Sequence, residues 1–502
     1  MSGFRRSGGA SLRAWGRKHA GALSVAALLF LVLLRGIPHV FFRNAHFDSD
    51  MAIFGVMGID IAHGRTIPFY GYGQTYLLAL EAWFAAPIFA LFGPSVWGLK
   101  LPLLLMNAAV TVLTFLQLRK GGIGRAGAWI ATLPLAVPSL YVAKLLLAAH
   151  GCNIEPFLGV LLLFWLRDRP VVAGVVTAVF YLNREFTLYG VPALFVAERI
   201  EGRALDWAYA RRRGLLLVVM GALVAVGRVV GRHGPYYFGA EAPKMRLEPA
   251  PLAALSWLWR DNLLPIVGAK VGPIGTAPLG LDGHTDAIYT VISASLAALV
   301  AAVLLRGAAC GRAFGRPRVR RAAAFPAYLL LVALASSAAL TLFGGMAKDL
   351  FSTRYNYLAL LGLPGLLGLC AALDVGGPPR MGGRVVRWLA ALAFAVPVSL
   401  QLAYFVAAAR DPSLRPEDAL ASYLVDQGYE SGRAGYWTAY STSFLARERV
   451  VLTVTESRVP IVRYEERFRS GRGKSAEIQD AQCEGGAQVA RFWVCPRRSL
   501  EP

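Results

Sequence analysis

The chain has 502 residues, 56% of them apolar, and a mean hydropathy of +0.50, which excludes an ordinary soluble protein. Its formal net charge of +22 would suit a nucleic-acid partner if it covered one surface. The basic residues instead form short clusters between apolar runs, at 5–18, 119–125, 167–169, 199–213, 306–321 and 380–387. That pattern argues against nucleic acid and for cytoplasmic loops of a protein whose partner is the lipid bilayer.

Apolar runs of about 17–23 residues recur from residue 20 to residue 408, the length of helical spans. Arg5, Arg6, Arg17 and Lys18 precede the first run as in a signal sequence. No small-residue cleavage site follows before Phe41 and Phe42, so the run reads as an uncleaved span. Holding all six basic clusters on one side fixes the crossings. Span one, about 21–42, delivers Asp48 and Asp50 to the outer face. Span two, about 97–118, returns to Arg119 and Lys120. The apolar stretch 75–92, which carries Glu81 and stops at Gly93-Pro94, is then an outer interfacial helix rather than a crossing.

Span three, about 126–147, exits, and span four, about 152–166, returns. A run interrupted at Asn183-Arg184-Glu185 reads as two short helices that go out, meet at the charges and come back, lining a cavity. Span seven, about 214–231, leads to an outer loop at 232–285, and span eight, about 286–305, returns. Span nine, about 323–345, exits to Lys348, Asp349 and Arg354. Span ten, about 355–373, returns, and span eleven, about 386–408, exits for the last time. The N-terminus is then cytoplasmic and the tail outside.

The tail is polar, with β-like runs at 449–454, 459–464 and 489–494. Cys483 and Cys495 can pair if it lies outside the cytoplasm. The expected architecture is mainly α: a polytopic helical membrane protein of about eleven transmembrane helices, with interfacial helices in the first outer loop and a small α/β domain on the outer face. Residues 1–410 form the membrane domain, with its first outer loop at 43–96, and residues 411–502 form the outer domain.

This topology gathers the polar residues on one face: His46, Asp48, Asp50, Gln74, Glu81, His150, Glu155, Arg184, Glu185, Lys348, Asp349, Arg354 and Tyr355. Carboxylates and cations at membrane depth are costly, and their convergence suggests an outward-facing site for an anionic, lipid-borne substrate. In Asp48-Ser49-Asp50, Asp48 also suits the start of a helix over about 51–63, which leaves Asp50 as the stronger catalytic candidate of the two. Tyr72 and Gln74 lie in a Tyr/Gly loop suited to sugar stacking and close approach. Glu81 has only apolar neighbours, which favours a cavity. Lys348 and Arg354 can hold a phosphate, with Tyr355 beside them. Arg184 is read as a further donor contact or as an ion-pair partner of Glu185. His150 and Glu155 lack the spacing of a helical metal pair and read as solvated helix-end residues. No Walker motif, dinucleotide fingerprint, HExxH or nucleophile elbow is present.

Ser49-Asp50-Met51-Ala52, the Tyr/Gly/Gln loop, Leu78-Ala79-Leu80-Glu81-Ala82-Trp83, Leu91-Phe92-Gly93-Pro94-Ser95 and Leu99-Lys100-Leu101-Pro102 together resemble the first outer loop of the GT-C glycosyltransferases. The likeness is to bacterial relatives of the protein O-mannosyltransferases and of the lipid A aminoarabinose transferase. Thr353-Arg354-Tyr355 is similar to another pattern of that group. Gly435-Tyr436-Trp437-Thr438-Ala439-Tyr440, with Phe444 and Glu448-Arg449, resembles the outer domain of some bacterial members. The resemblance implies an inverting transferase of the bacterial inner membrane. It would use a polyprenyl-phosphate sugar donor and an envelope lipid, glycan or protein acceptor, with Asp50 at the position of the family's first-loop acid. Many relatives carry Asp-Glu there, whereas this chain has Asp50-Met51, which puts in doubt any metal role of the second acid. No cofactor follows beyond a possible divalent cation. The rival reading is a secondary transporter or lipid flippase, favoured by the interrupted pair and opposed by the absence of an inverted repeat.

Overall fold

The computed structural model describes residues 5–74, 76–151, 153–233, 247–268, 285–343, 350–375, 381–411, 413–455, 461–471 and 473–496. The membrane part begins with α1 (Arg5–Phe41), α2 (Ser49–Ala62), α3 (Leu80–Phe92), α4 (Val96–Lys120), α5 (Arg125–Ala136) and α6 (Leu140–Leu145). It continues with α7 (Glu155–Trp165), α8 (Pro170–Asn183), α9 (Gly190–Glu201), α10 (Trp207–Arg232), α11 (Pro251–Trp257) and α12 (Leu264–Val267). It closes with α13 (Thr285–Cys310), α14 (Pro317–Leu342), α15 (Gly362–Ala372) and α16 (Met381–Arg410).

Among the described residues, six helices are long and apolar enough to cross a bilayer. They correspond to the expected spans one, two, seven, eight, nine and eleven. The other five expected crossings are shorter or broken. Span three stops at Pro138, which lacks an N–H and forces Val137 out of the helical region, to φ −135°. The carbonyls released by this break are taken up inside the protein. Arg35 Nε donates to Ala136 O at 2.9 Å, and Gln401 Nε2 donates to Pro138 O at 3.0 Å. Irregular backbone at membrane depth persists where neighbours satisfy it in this way.

The interrupted pair is present: α8 ends at Asn183, a 3₁₀ turn runs over Glu185–Tyr189, and α9 follows. Asn183 Nδ2 donates to Gly151 O at 2.8 Å and anchors the break against the segment before α7. Together these features define a multi-pass helical membrane protein.

The tail contains α17 (Pro416–Asp426), β1 (Tyr429–Ala434), α18 (Tyr436–Leu445), β2 (Val451–Val454), α19 (Val462–Arg469), β3 (Lys474–Gln479), β4 (Ala487–Val489) and β5 (Phe492–Pro496). Its five strands form one sheet in the order β2-β1-β3-β5-β4. The β1 strand is parallel to both neighbours, and β5 is antiparallel to β3 and β4. A disulfide joins Cys483 to Cys495.

One strand expectation is corrected and another is refined. Within 459–464 the described residues enter α19, because Tyr464 and Phe468 bury one side at helical spacing and Glu465 pairs with Arg469 one turn on. The run at 489–494 is strand at both ends, Val489 in β4 and Phe492 to Val494 in β5, with a two-residue turn between them where Ala490 takes φ 52°.

The tail packs against α2 through α18. Gly55 makes this approach possible, since a Cβ there would lie 2.5 Å from the Phe444 ring. Ser441 N–H donates to Ser49 Oγ at 3.3 Å in the same contact.

Candidate active site

The site grows from the start of α2. Asp48 is its N-cap, with an extended backbone and a side chain that accepts from Met51 N–H at 3.0 Å. Lys100, fully buried on α4, donates to His39 O at 3.2 Å and also to His46 O, tying the end of α1 to this loop. Asp48 and Asp50 therefore meet different neighbours.

Asp48 lies 3.2 Å from His46 Nε2 and 3.3 Å from His150 Nε2. Burial alone would raise the Asp48 carboxyl. The charge of His150 and hydrogen bonds from both histidines outweigh it and hold Asp48 well below the usual carboxylate range. Burial opposes the charge on His150, but the Asp48 carboxylate prevails and raises it, helped by Asp50 and opposed by Arg354. Burial pushes His46 down to about 4, offset only in part by its hydrogen bond to Asp48. Asp48 is thus an anion between a charge-favouring histidine and a neutral one.

Asp50, half-buried in the first turn of α2, accepts from Tyr436 Oη at 2.5 Å. Burial and then the Asp50 charge raise the Tyr436 phenol, so it stays a donor. Tyr436 opens α18, and the next residue, Trp437, is 58% exposed. Trp437 lines a cavity of about 430 Å³ together with Asp48, Lys144, Tyr404, Arg415 and Arg491. This cavity lies between the membrane part and the tail.

A second group surrounds the helix break. The Arg184 guanidinium lies 5.3 Å from the Tyr76 ring centroid, 4.9 Å from that of Phe186 and 5.6 Å from that of Tyr355. Arg354 stacks on the same Tyr355 at 5.1 Å and donates to its hydroxyl at 3.1 Å. Glu185 is half-exposed, 3.8 Å from Arg184. Arg184, Glu185, Arg354 and Tyr355 are therefore brought together, and Arg354 and Asp50 both act on His150.

Other sequence candidates stand elsewhere. Tyr72 is buried and donates to Asp60 Oδ2 at 2.7 Å. Gln74 closes a turn, its N–H donating to Gly71 O at 2.8 Å. Glu81 is buried in the first turn of α3. Lys348 and Asp349 lie outside the described residues. The solvated ends expected at His150 and Glu155 are not found. His150 is paired with Asp48, and Glu155 is fully buried in the first turn of α7.

Sequence reasoning missed a network that clamps the first loop to the tail. Asp60, buried in α2, accepts from Arg65 at 3.1 Å and forms an ion pair with Arg463 at 2.9 Å. Glu448 accepts from Arg65 at 2.7 Å and from Tyr464 at 2.7 Å, and pairs with the Arg463 charge. Burial alone would raise Glu448, but the Arg463 charge and these hydrogen bonds lower it. An acid inside an otherwise apolar helix was the available signal for Asp60. Among the described residues no group of three His, Cys, Asp or Glu could hold a metal ion.

The fold is shared with solved structures of low sequence identity. ArnT from Cupriavidus metallidurans, in a crystal structure bound to undecaprenyl phosphate, is similar at TM-score 0.56 and 12% identity, over 95% of this chain and 97% of that one. The apo oligosaccharyltransferase of Archaeoglobus fulgidus is similar at TM-score 0.50 and 13% identity, over 93% of this chain and 70% of that one. No protein-family profile matches the chain, and no curated protein matches it in sequence.

Proposed function

We propose that this chain is an integral membrane glycosyltransferase that moves a sugar from a polyprenyl-phosphate-linked donor to an envelope acceptor by inverting displacement. The observation that carries the reading is the placement of Asp50. A half-buried carboxylate, oriented by Tyr436 from the tail, stands on the face of the fold that also holds the Arg184–Tyr355–Arg354 group. ArnT, similar in fold over nearly its whole length, is bound to undecaprenyl phosphate, and this supports a lipid phosphate as the donor's leaving group.

In this reading an acceptor hydroxyl attacks the anomeric carbon. The carbon–oxygen bond to the lipid phosphate breaks, and Asp50 takes the hydroxyl proton through the oxygen not engaged by Tyr436. Arg184, Arg354 and Lys348 hold the departing phosphate, whose charge grows in the transition state. Tyr355 keeps the two arginines side by side, and Glu185 limits their field. Asp48 is a positioning residue, fixing the loop through His46 and His150. Where the acceptor is itself a phosphate, no base is required and Asp50 orients it. In this reading the acceptor enters through the first cavity, lined by Asp48 and by Trp437, the neighbour of Tyr436.

Residues 1–410 are the transferase membrane domain and 411–502 the outer domain, in the inner membrane with the N-terminus cytoplasmic. The clustering of basic residues and the Cys483–Cys495 disulfide support that orientation. The test is transfer in proteoliposomes that contain the purified chain, a polyprenyl-phosphate-linked sugar and an envelope extract. Label should move to the acceptor without added nucleotide. Solute counterflow in the same vesicles with no transfer would overturn the reading.

A further inference from the structure

The end of the membrane domain opposite Asp50 carries a second cavity, of about 360 Å³. Its position follows from α4. That helix starts beside the active-site loop, where Lys100 holds His46, and ends at Lys120, just before Gly122 in the cavity wall. Twenty residues at the helical rise are about 30 Å, the thickness of the hydrocarbon layer. The cavity therefore lies at the other membrane surface, where α5 begins, α13 and α15 end, and α16 begins. Trp388 on α16, one residue from the cavity wall, is 77% exposed, as expected of a side chain at the headgroup level.

The lining is polar at one end and apolar along its side. Arg125, Arg306 and Arg387 face a single carboxylate, Asp374. Arg306 is 8% exposed and bonds Asp374 through Nη2, while its Nη1 reaches Cys370 Sγ at 3.4 Å. Gly383 lets α16 close over this pair, because a Cβ there would sit 2.4 Å from Arg306 Nη1. Among the described residues no salt bridge engages Arg125 or Arg387, so two arginine charges exceed the acid. Ile130, Leu367 and Val386 complete the wall towards the membrane.

A cavity with excess arginine at headgroup depth and an apolar flank fits one ligand chemistry. We propose that it binds the phosphodiester headgroup of an anionic phospholipid, with Arg125 and Arg387 on the phosphate oxygens, Arg306–Asp374 as the floor, and the acyl chains along Ile130 and Leu367. Guanidinium groups suit this role because they meet phosphate oxygens in pairs and stay charged. The site is independent of the transfer reaction and of which face is cytoplasmic.

Native mass spectrometry of the full chain in detergent tests it, with phosphatidylglycerol, phosphatidylcholine and inorganic phosphate as probes. The wild type should retain phosphatidylglycerol at least tenfold better than phosphatidylcholine. The double variant Arg125→Gln/Arg387→Gln should lose about 30-fold of that retention, and Arg125→Lys/Arg387→Lys should keep most of it. Unchanged melting without added lipid would show that the Gln variant is folded; if it is not, the wild-type comparison of the two lipids decides. Equal retention of both lipids, equal retention by the Gln variant, or displacement of phosphatidylglycerol by millimolar phosphate would each overturn the proposal.

Discussion

The Tyr436 hydroxyl donates to Asp50 Oδ1 at 2.5 Å, joining residues 386 positions apart in the chain. The tail thus helps to build the site at the first loop. Tyr436→Phe removes one hydrogen bond to a charged group and leaves the ring packed. Transfer should fall roughly ten- to hundredfold, with expression and melting unchanged. Wild-type rates in the Phe variant would remove Tyr436 from the positioning of Asp50.

The ion network around Asp60 and Glu448 should act on the seating of the tail rather than on chemistry. Arg463→Ala leaves Asp60 and Glu448 sharing the Arg65 charge, beside the Tyr72 and Tyr464 hydroxyls, a loss on the order of 3 kcal/mol for a broken buried pair. Limited proteolysis should release the tail faster in this variant. An unchanged cleavage rate would mean that the tail is held by its apolar contacts with α2 alone.

The Asp48–His150 pair sets a pH window. His150 has a raised folded pKa, so its contribution to stability is complete below its unfolded value of 6.5 and is lost as pH rises through the folded value. Asp48 is depressed, so its contribution holds above its unfolded value of 3.8 and is lost as pH falls through the folded one. His46 acts only on the acid side, where its low folded pKa favours the unfolded chain below 6.5. Melting temperatures measured upward from pH 6.5 should decline in the wild type and flatten in His150→Gln. Parallel curves for the two proteins would break the assignment.

The Arg184–Tyr355–Arg354 group should be read through the donor. Arg184→Gln and Arg354→Gln should each lower kcat/KM for the polyprenyl-phosphate sugar by about tenfold or more. Acceptor KM should stay near its wild-type value. A shift confined to the acceptor would place these arginines on the wrong substrate.

Local signals made part of this site legible in the sequence. Asp48 reads as a helix start and is the N-cap of α2. The helix break at Arg184 and Glu185 follows from charges inside an apolar run. The apolar stretch after the Tyr/Gly loop becomes the short helix α3. What was hidden depends on separation along the chain. His150 reads as a helix-end residue until the fold sets it against Asp48, and Asp60, with Arg65 five residues on, meets Arg463 only once the tail is in place. Tyr72 looked like a binding aromatic in its Gly-rich loop, but its hydroxyl reaches back to Asp60. Pro138 breaks span three within an apolar run long enough to cross, and the freed carbonyls are met by Arg35 and Gln401, both distant in sequence.

The central claim rests on Asp50, and Asp50→Asn tests it most directly. The variant keeps side-chain size and can still accept the Tyr436 hydrogen bond, but it is a far weaker base. The measurement is sugar transfer from a polyprenyl-phosphate donor in membranes that contain equal amounts of folded wild type and variant. Loss of transfer by roughly a hundredfold or more, with donor binding retained, is the predicted result. Transfer at the wild-type rate would contradict the account.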